Sequence, residues 1–220
     1  GTIPYSYAWS NAATTASISG LTAATYTVTI TDSNGCSDTE SIVISEPAIL
    51  AAATLVDSNV SINGGSDGGA TASASGGTIP YSYAWSNAAT TASITGLAAA
   101  TYTVTITDNN GCTVTETATI TQPTTITTLV VVDSNVSCNG FSDGGATASA
   151  SGGVMPYSYA WSNAATTASI SGVTAATYTV TITDNNGATA SISAVITEPN
   201  LLISSAAVTS TIDCNGDTDG

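Results

Sequence analysis

Leu97-Ala-Ala-Ala-Thr-Tyr-Thr-Val-Thr-Ile-Thr-Asp-Asn-Asn-Gly-Cys112 decides the fold. Tyr102, Val104 and Ile106 alternate with Thr101, Thr103, Thr105 and Thr107, the period of two that marks a strand with one buried face. The run Leu97 to Tyr102 has the form of a corner in which a tyrosine hydroxyl bonds upstream backbone. Asn110-Gly111 supplies a hairpin turn. Upstream, Tyr81, Tyr83 and Trp85 alternate with Ser82 and Ala84, which puts a tryptophan on a middle strand. Further strands are expected at 53–62, 69–75, 90–95 and 113–121, each bounded by Gly, Asn, Asp or Pro. No segment of ten or more residues shows apolar spacing of three and four, so helix is essentially absent.

This pattern occurs three times. Pro-Tyr-Ser-Tyr-Ala-Trp-Ser-Asn-Ala-Ala-Thr-Thr-Ala-Ser-Ile starts unchanged at Pro4, Pro80 and Pro156, a period of 76 residues. Asp57-Ser-Asn-Val-Ser returns at Asp133, Ser66-Asp-Gly-Gly returns at Ser142, and Thr-Tyr-Thr-Val-Thr-Ile-Thr-Asp begins at Thr25, Thr101 and Thr177. Glu46-Pro47, Gln122-Pro123 and Glu198-Pro199 mark the linkers, because proline cannot continue a central ladder. Residues 48–123 and 124–199 are then complete repeats, 1–47 is a partial repeat without its first strands, and 200–220 opens another. Six or seven short strands in 76 residues indicate an all-β architecture of tandem Ig-like (PKD-like) antiparallel β-sandwich domains. The ends of the sequence read as arbitrary cuts in a longer array, with any export signal or anchor outside the window.

Composition narrows the function. The 220 residues contain no Lys, Arg or His against 15 Asp and Glu, a formal charge of −15. Nothing here displaces counterions from a phosphate backbone, so no nucleic-acid partner is expected, and anionic membrane surfaces fall by the same reasoning. No apolar run is long enough to span a bilayer, so no membrane insertion is expected of this segment. Without His or Lys there is no imidazole base, no Ser-His-Asp arrangement and no Schiff-base amine. Two carboxylates alone hydrolyse glycosides, but only across a cleft, and a 76-residue sandwich offers none. The chain is therefore expected not to be an enzyme.

The residues that remain as candidates are acids, cysteines and aromatics. Asp57, Asp67 and Asp108 recur as Asp133, Asp143 and Asp184, and Asp213-Cys-Asn-Gly-Asp-Thr-Asp-Gly220 is dense in oxygen ligands. Calcium takes such carboxylate and carbonyl sets, and these are the candidate metal ligands. The spacing lacks the closing Glu of an EF-hand, and Asp, Asn and Gly are also what tight turns select. Each repeat has two cysteine positions, one after the first strand (Ile62, Cys138, Cys214) and one after the Asn-Gly turn (Cys36, Cys112, Ala188). Their spacing suggests an in-domain bridge, broken in both complete repeats by Ile62 and Ala188. Cys36 and Cys214 find partners only beyond the cuts, and Cys112 and Cys138 are expected at far ends of adjacent domains. The Tyr81, Tyr83, Trp85 ladder reads as core, with a sugar-stacking platform as the alternative. Asn59 and Asn135 are sequons that matter only in a host that glycosylates asparagine.

The order CNG…SDGG…SGG…PYSYAWSN…TTASITGL…TYTVTITDNNGC…TITQP resembles the SprB repeat of Bacteroidetes gliding-motility adhesins across essentially the whole chain. The sequence departs from the pattern at Ile62 and Ala188, which lack the cysteine, and at Asp217, where the other repeats have Gly65 or Phe141. The resemblance implies a very long, extracellular cell-surface protein, exported by type IX secretion and carried along the cell as filaments that grip the substratum. Two expectations follow. In the first the chain is a stalk of an adhesin, with surface polysaccharide or substratum bound through other parts of the protein. In the second it is a self-assembling subunit of an extracellular fibre, since its strands carry no Lys to guard their edges.

Overall fold

The computed structural model describes residues 1–207, 215 and 216, so the loop from Asp213 to Gly220 and Cys214 lie outside the described residues apart from the turn at 215 and 216. The described chain holds fifteen strands and no helix. In chain order these are β1 (Ser6–Trp9), β2 (Ala24–Thr31), β3 (Ser37–Ile44), β4 (Ala51–Ser58), β5 (Gly68–Ser75), β6 (Ser82–Trp85), β7 (Ser93–Leu97), β8 (Ala100–Thr107), β9 (Thr113–Ile120), β10 (Thr127–Ser134), β11 (Gly144–Ser151), β12 (Ser158–Trp161), β13 (Ser169–Val173), β14 (Ala176–Thr183) and β15 (Thr189–Ile196). Strands β4 to β9 and β10 to β15 are the same six elements 76 residues apart.

Proximity in space groups the chain into two compact units. The first comprises Gly1–Leu55, Thr71–Ser93 and Tyr102–Ala118, and the second Val56–Ala70, Ile94–Thr101 and Thr119–Gly220. The residues of the third repeat lie wholly in the second unit. There the sheet order is β10-β11-β13 on one side and β12-β14-β15 on the other. In chain order the first sheet takes strands one, two and four, and the second takes three, five and six. That is the A-B-E and C-F-G partition of an Ig-like sandwich. Every described pairing is antiparallel, including β10 with β11, β11 with β13, β12 with β14 and β14 with β15.

The core of this sandwich forms where the apolar halves of the alternating strands face one another. Ala146 and Ala148 of β11, Ile170 and Val173 of β13, Trp161 of β12, Val180 and Ile182 of β14, and Ala194 and Ile196 of β15 make one buried cluster. Small residues on β11 leave room for the indole and the isoleucines opposite, as close packing of two sheets about 10 Å apart requires. The outward threonines pair across strands: Thr179 Oγ1 meets Ser193 Oγ at 2.8 Å and Thr181 Oγ1 meets Ser191 Oγ at 3.1 Å. Tyr178 donates its hydroxyl to Thr174 O at 3.1 Å, and Tyr26 does the same to Thr22 O, the tyrosine corner expected from the sequence. Trp161 is buried and donates its indole N–H to Thr167 O at 2.9 Å.

In the middle repeat the sheets are ordered β4-β5-β7 and β6-β8-β9, and Trp85, Ile94, Val104, Ile106 and Ile120 are buried like their counterparts. Residues 1–47 form one sheet, β1-β2-β3. Its apolar face is less covered: Tyr26 and Val28 are each 8% exposed, where Val104 and Val180 are 0%. Residues 17–21 repeat 93–97 almost letter for letter but form no strand, and the sheet of residues 1–47 has no strand corresponding to β5.

Candidate functional site

The acidic residues singled out above are placed by turns. Asp184 follows β14 in Asp-Asn-Asn-Gly, and its own N–H donates to Ala188 O, closing the turn into β15. Its side chain, 6% exposed, lies along the inside of that turn. Oδ1 accepts the N–H groups of Asn186 and Ala188 at 3.0 and 2.8 Å, and Oδ2 accepts the N–H of Val154 at 2.9 Å. Val154 precedes β12, so one carboxylate ties the β14–β15 hairpin to a loop thirty residues earlier. Gly153 allows the approach, with φ at +60° and its Cα so near the acid that a Cβ would stand 2.6 Å from Asp184 Oδ2.

Asp108 repeats the arrangement with Thr78, Asn110 and Cys112, and Asp32 with Thr2, Asn34 and Cys36. Backbone donors hold all three carboxyls below the usual aspartate range. At Asp108 the Thr78 N–H is the largest influence, and at Asp32 the Thr2 N–H. At Asp184 burial is the largest single influence and pushes the carboxyl up, but the donors from Val154, Ala188, Asn186 and Gly187 together outweigh it.

Asp67 and Asp143 close a different loop, between the first and second strands of a repeat. Oδ1 accepts the N–H of Ser61 and of Ser137, each at 3.0 Å. These carboxyls also sit below the usual range, first through the serine hydroxyl and then through its N–H. Asp133 lies on β10 and accepts the hydroxyl of Thr147 at 2.7 Å. Asp57 is its counterpart on β4. The six acids thus belong to three separate places in each repeat: a first-strand end, the loop after it, and the hairpin turn. Among the described residues no three His, Cys, Asp or Glu side chains come together to hold a metal ion.

The cysteine positions depart from expectation. In the third repeat Ala188 abuts Thr189, at the start of β15. Cys138 stands at the other end of that strand, where Val136 N–H bonds Thr197 O at 2.9 Å, Asn139 bonds Pro199 O and Gly140 bonds Glu198. Eight residue steps of strand separate the two ends, about 27 Å. A disulfide needs Cα atoms within about 7 Å, so the in-domain bridge that the spacing suggested is excluded by geometry. Cys36, Cys112 and Cys138 are free and exposed. Sequence reasoning missed that Ile62 and Ala188 line one cavity, although 126 residues separate them.

The model of the SprB repeat family matches residues 55–90 and again 131–166, from the first strand of each complete repeat through its tryptophan strand. None of the curated proteins matches the chain. Among solved structures, the N-terminal eight Ig domains of Down Syndrome Cell Adhesion Molecule align over 80% of this chain and 28% of that one at 12% identity, TM-score 0.41. Sidekick-1 immunoglobulin domains 1–5 align over 88% and 52% at 13% identity, TM-score 0.37. The C-terminal fragment of intimin, solved with the intimin-binding domain of its translocated receptor, aligns over 78% and 57% at 13% identity, TM-score 0.31. The chain thus spans about a quarter to a little over half the length of these structures.

Proposed function

Both complete domains belong to the SprB repeat family, and on that footing we propose that the chain is a non-enzymatic, extracellular length of a bacterial adhesin stalk, of the gliding-motility kind. The observation that carries this reading is how the recurring polar groups are used. Asp32, Asp108 and Asp184 each bind three backbone N–H groups of their own repeat, so the most regular feature of the surface turns holds the fold together and presents no open chemistry. Nor does the chain contain a His, Lys or Arg to act on a substrate. A stalk needs stiff repeats, mutual repulsion among acidic units and a binding region elsewhere in the protein, with surface polysaccharide or substratum as its target.

Small-angle scattering and sedimentation over a concentration series test this reading. A stalk segment stays monomeric at every concentration, with a radius of gyration well above the roughly 17 Å of a compact globule of this length. It also keeps the same profile in calcium and in chelator. A particle that shortens on chelation would reassign Asp67 and Asp143, or Asp57 and Asp133, as calcium ligands.

One observation favours a second reading, the self-assembling fibre. Strand β10 is the end strand of its sheet, with β15 alongside it, and exposes Leu129 (60%) and Val131 (51%) on the same face, an apolar pair with no Lys to keep copies from associating there. If mass climbs with concentration, Leu129→Lys with Val131→Lys should return the chain to monomer. Association that survives both substitutions would place the contact elsewhere.

A further inference from the structure

Six positions in the sequence are equivalent to a cysteine of the repeat, and four of them are Cys: 36, 112, 138 and 214. The two that are not, Ile62 and Ala188, line the same cavity. Asn63, Pro123, Ile126 and Asp184 line it with them, all within the second compact unit. Beside it Asn186 Nδ2 donates to Ser61 O at 2.8 Å, which fixes the loop carrying Ile62 against the turn carrying Ala188. In the first unit Cys112 lines the corresponding cavity, with Pro47, Leu50, Gly77 and Asp108 in the places of Pro123, Ile126, Gly153 and Asp184. No residue of 1–220 takes the place of Ile62 there.

We propose that the two cysteine positions of this repeat are the halves of a disulfide between consecutive domains: the position after the first strand of one repeat bonds the position after the hairpin turn of the next. The pair belonging to this chain is Ile62 with Ala188, and both of its halves are apolar. An in-domain pairing would set a thiol against an apolar residue in both complete repeats, Cys112 with Ile62 and Cys138 with Ala188, and would span about 27 Å. The junction pairing leaves no such mismatch within 1–220. Cys36, Cys112 and Cys138 are free, and no residue of 1–220 occupies the position that would pair with any of them in this register. The inference rests on the geometry of the second unit and not on the stalk reading.

The full chain carrying Ile62→Cys and Ala188→Cys tests it. With a low-molecular-weight disulfide as oxidant, one thiolate forms a mixed disulfide and releases a thiol. The second thiolate then displaces the other thiol, so two protein S–H groups become one S–S and the oxidant leaves as two thiols. Digestion must use a protease that cuts at acidic or aromatic residues, since the chain has no Lys or Arg. The expected product is a crosslinked peptide joining the segments around 62 and 188, with a Tm above that of the reduced variant and reversal by reductant. Bridges from 62 to 112 and from 138 to 188, or a folded variant whose two new thiols stay reduced, would overturn the proposal. The unsubstituted chain gives an arm that does not depend on the variant folding: oxidation should leave Cys36, Cys112 and Cys138 without an in-chain bridge, and any bridge between two of them would also overturn it.

Discussion

At the scale of single residues, the aspartate of the hairpin turn is the most instructive side chain. Its carboxylate accepts three backbone N–H groups, and this arrangement depends on its charge. The folded pKa lies below the unfolded one, so the stabilisation is present above the ordinary aspartate range and is lost as pH falls through the folded value. Thermal melts from pH 7 down to about pH 2 should show Tm falling at the acid end. Asp184→Asn puts an amide N–H against the N–H of Val154 or leaves that donor unpaired, so its Tm should be lower at pH 7 and its acid dependence weaker. An Asp184→Asn chain as stable as the parent at pH 7 would mean the turn holds without the charge. Val154 marks a smaller difference between repeats. Asn110 and Asn34 donate to the hydroxyls of Thr78 and Thr2, but Val154 has no hydroxyl, and the amide of Asn186 turns instead to Ser61 O.

Among strands, the alternation of Thr with Val, Ile and Tyr determines which face is buried, and the two faces differ greatly in energy. Ile182 is fully buried in β14, with Thr181 beside it facing out. Ile182→Ala should cost about 2–5 kcal/mol in urea unfolding, the transfer and cavity cost of a core isoleucine. Thr181→Ala loses a cross-strand hydroxyl pair with Ser191 and should cost about 0.2–1 kcal/mol. Comparable losses at the two positions would mean that the sheets are not packed as described. Strand formation itself is less local than the alternation suggests. Residues 93–97 form β7 against β5, and nearly the same letters at 17–21 remain irregular without that partner, so β structure here follows from pairing more than from propensity.

For the whole molecule the dominant quantity is charge. With 15 acidic groups and no basic side chain, copies repel one another at neutral pH, and the sequence pI is about 4.1. Sedimentation from pH 7 to pH 4 should show a monomer that associates as the charge is lost near the pI, through exposed apolar edges such as β10, and that redissolves on neutralisation. A chain that stays monomeric at its pI would show that charge is not what keeps the copies apart. Calcium chelation should leave Tm unchanged if the acids serve turns alone.

The sequence by itself determined the repeat, its 76-residue register, the absence of helix and the Ig-like sandwich class, because a period of two over threonines and aliphatics admits one buried face and a repeated corner is a mark of that class, whereas the partition of strands between the two sheets came from the structure. It also identified Asp108 and Asp184 as turn or ligand residues without separating the two, since the same side-chain types serve both. Only the tertiary structure placed Val154 and Gly153 against that acid, from a loop thirty residues away with no motif to announce it. It alone set Cys138 and Ala188 at opposite ends of one domain and put Ile62 and Ala188 on the lining of one cavity. Spacing along a chain measures distance within a domain poorly, because a strand of eight residues carries its two ends about 27 Å apart.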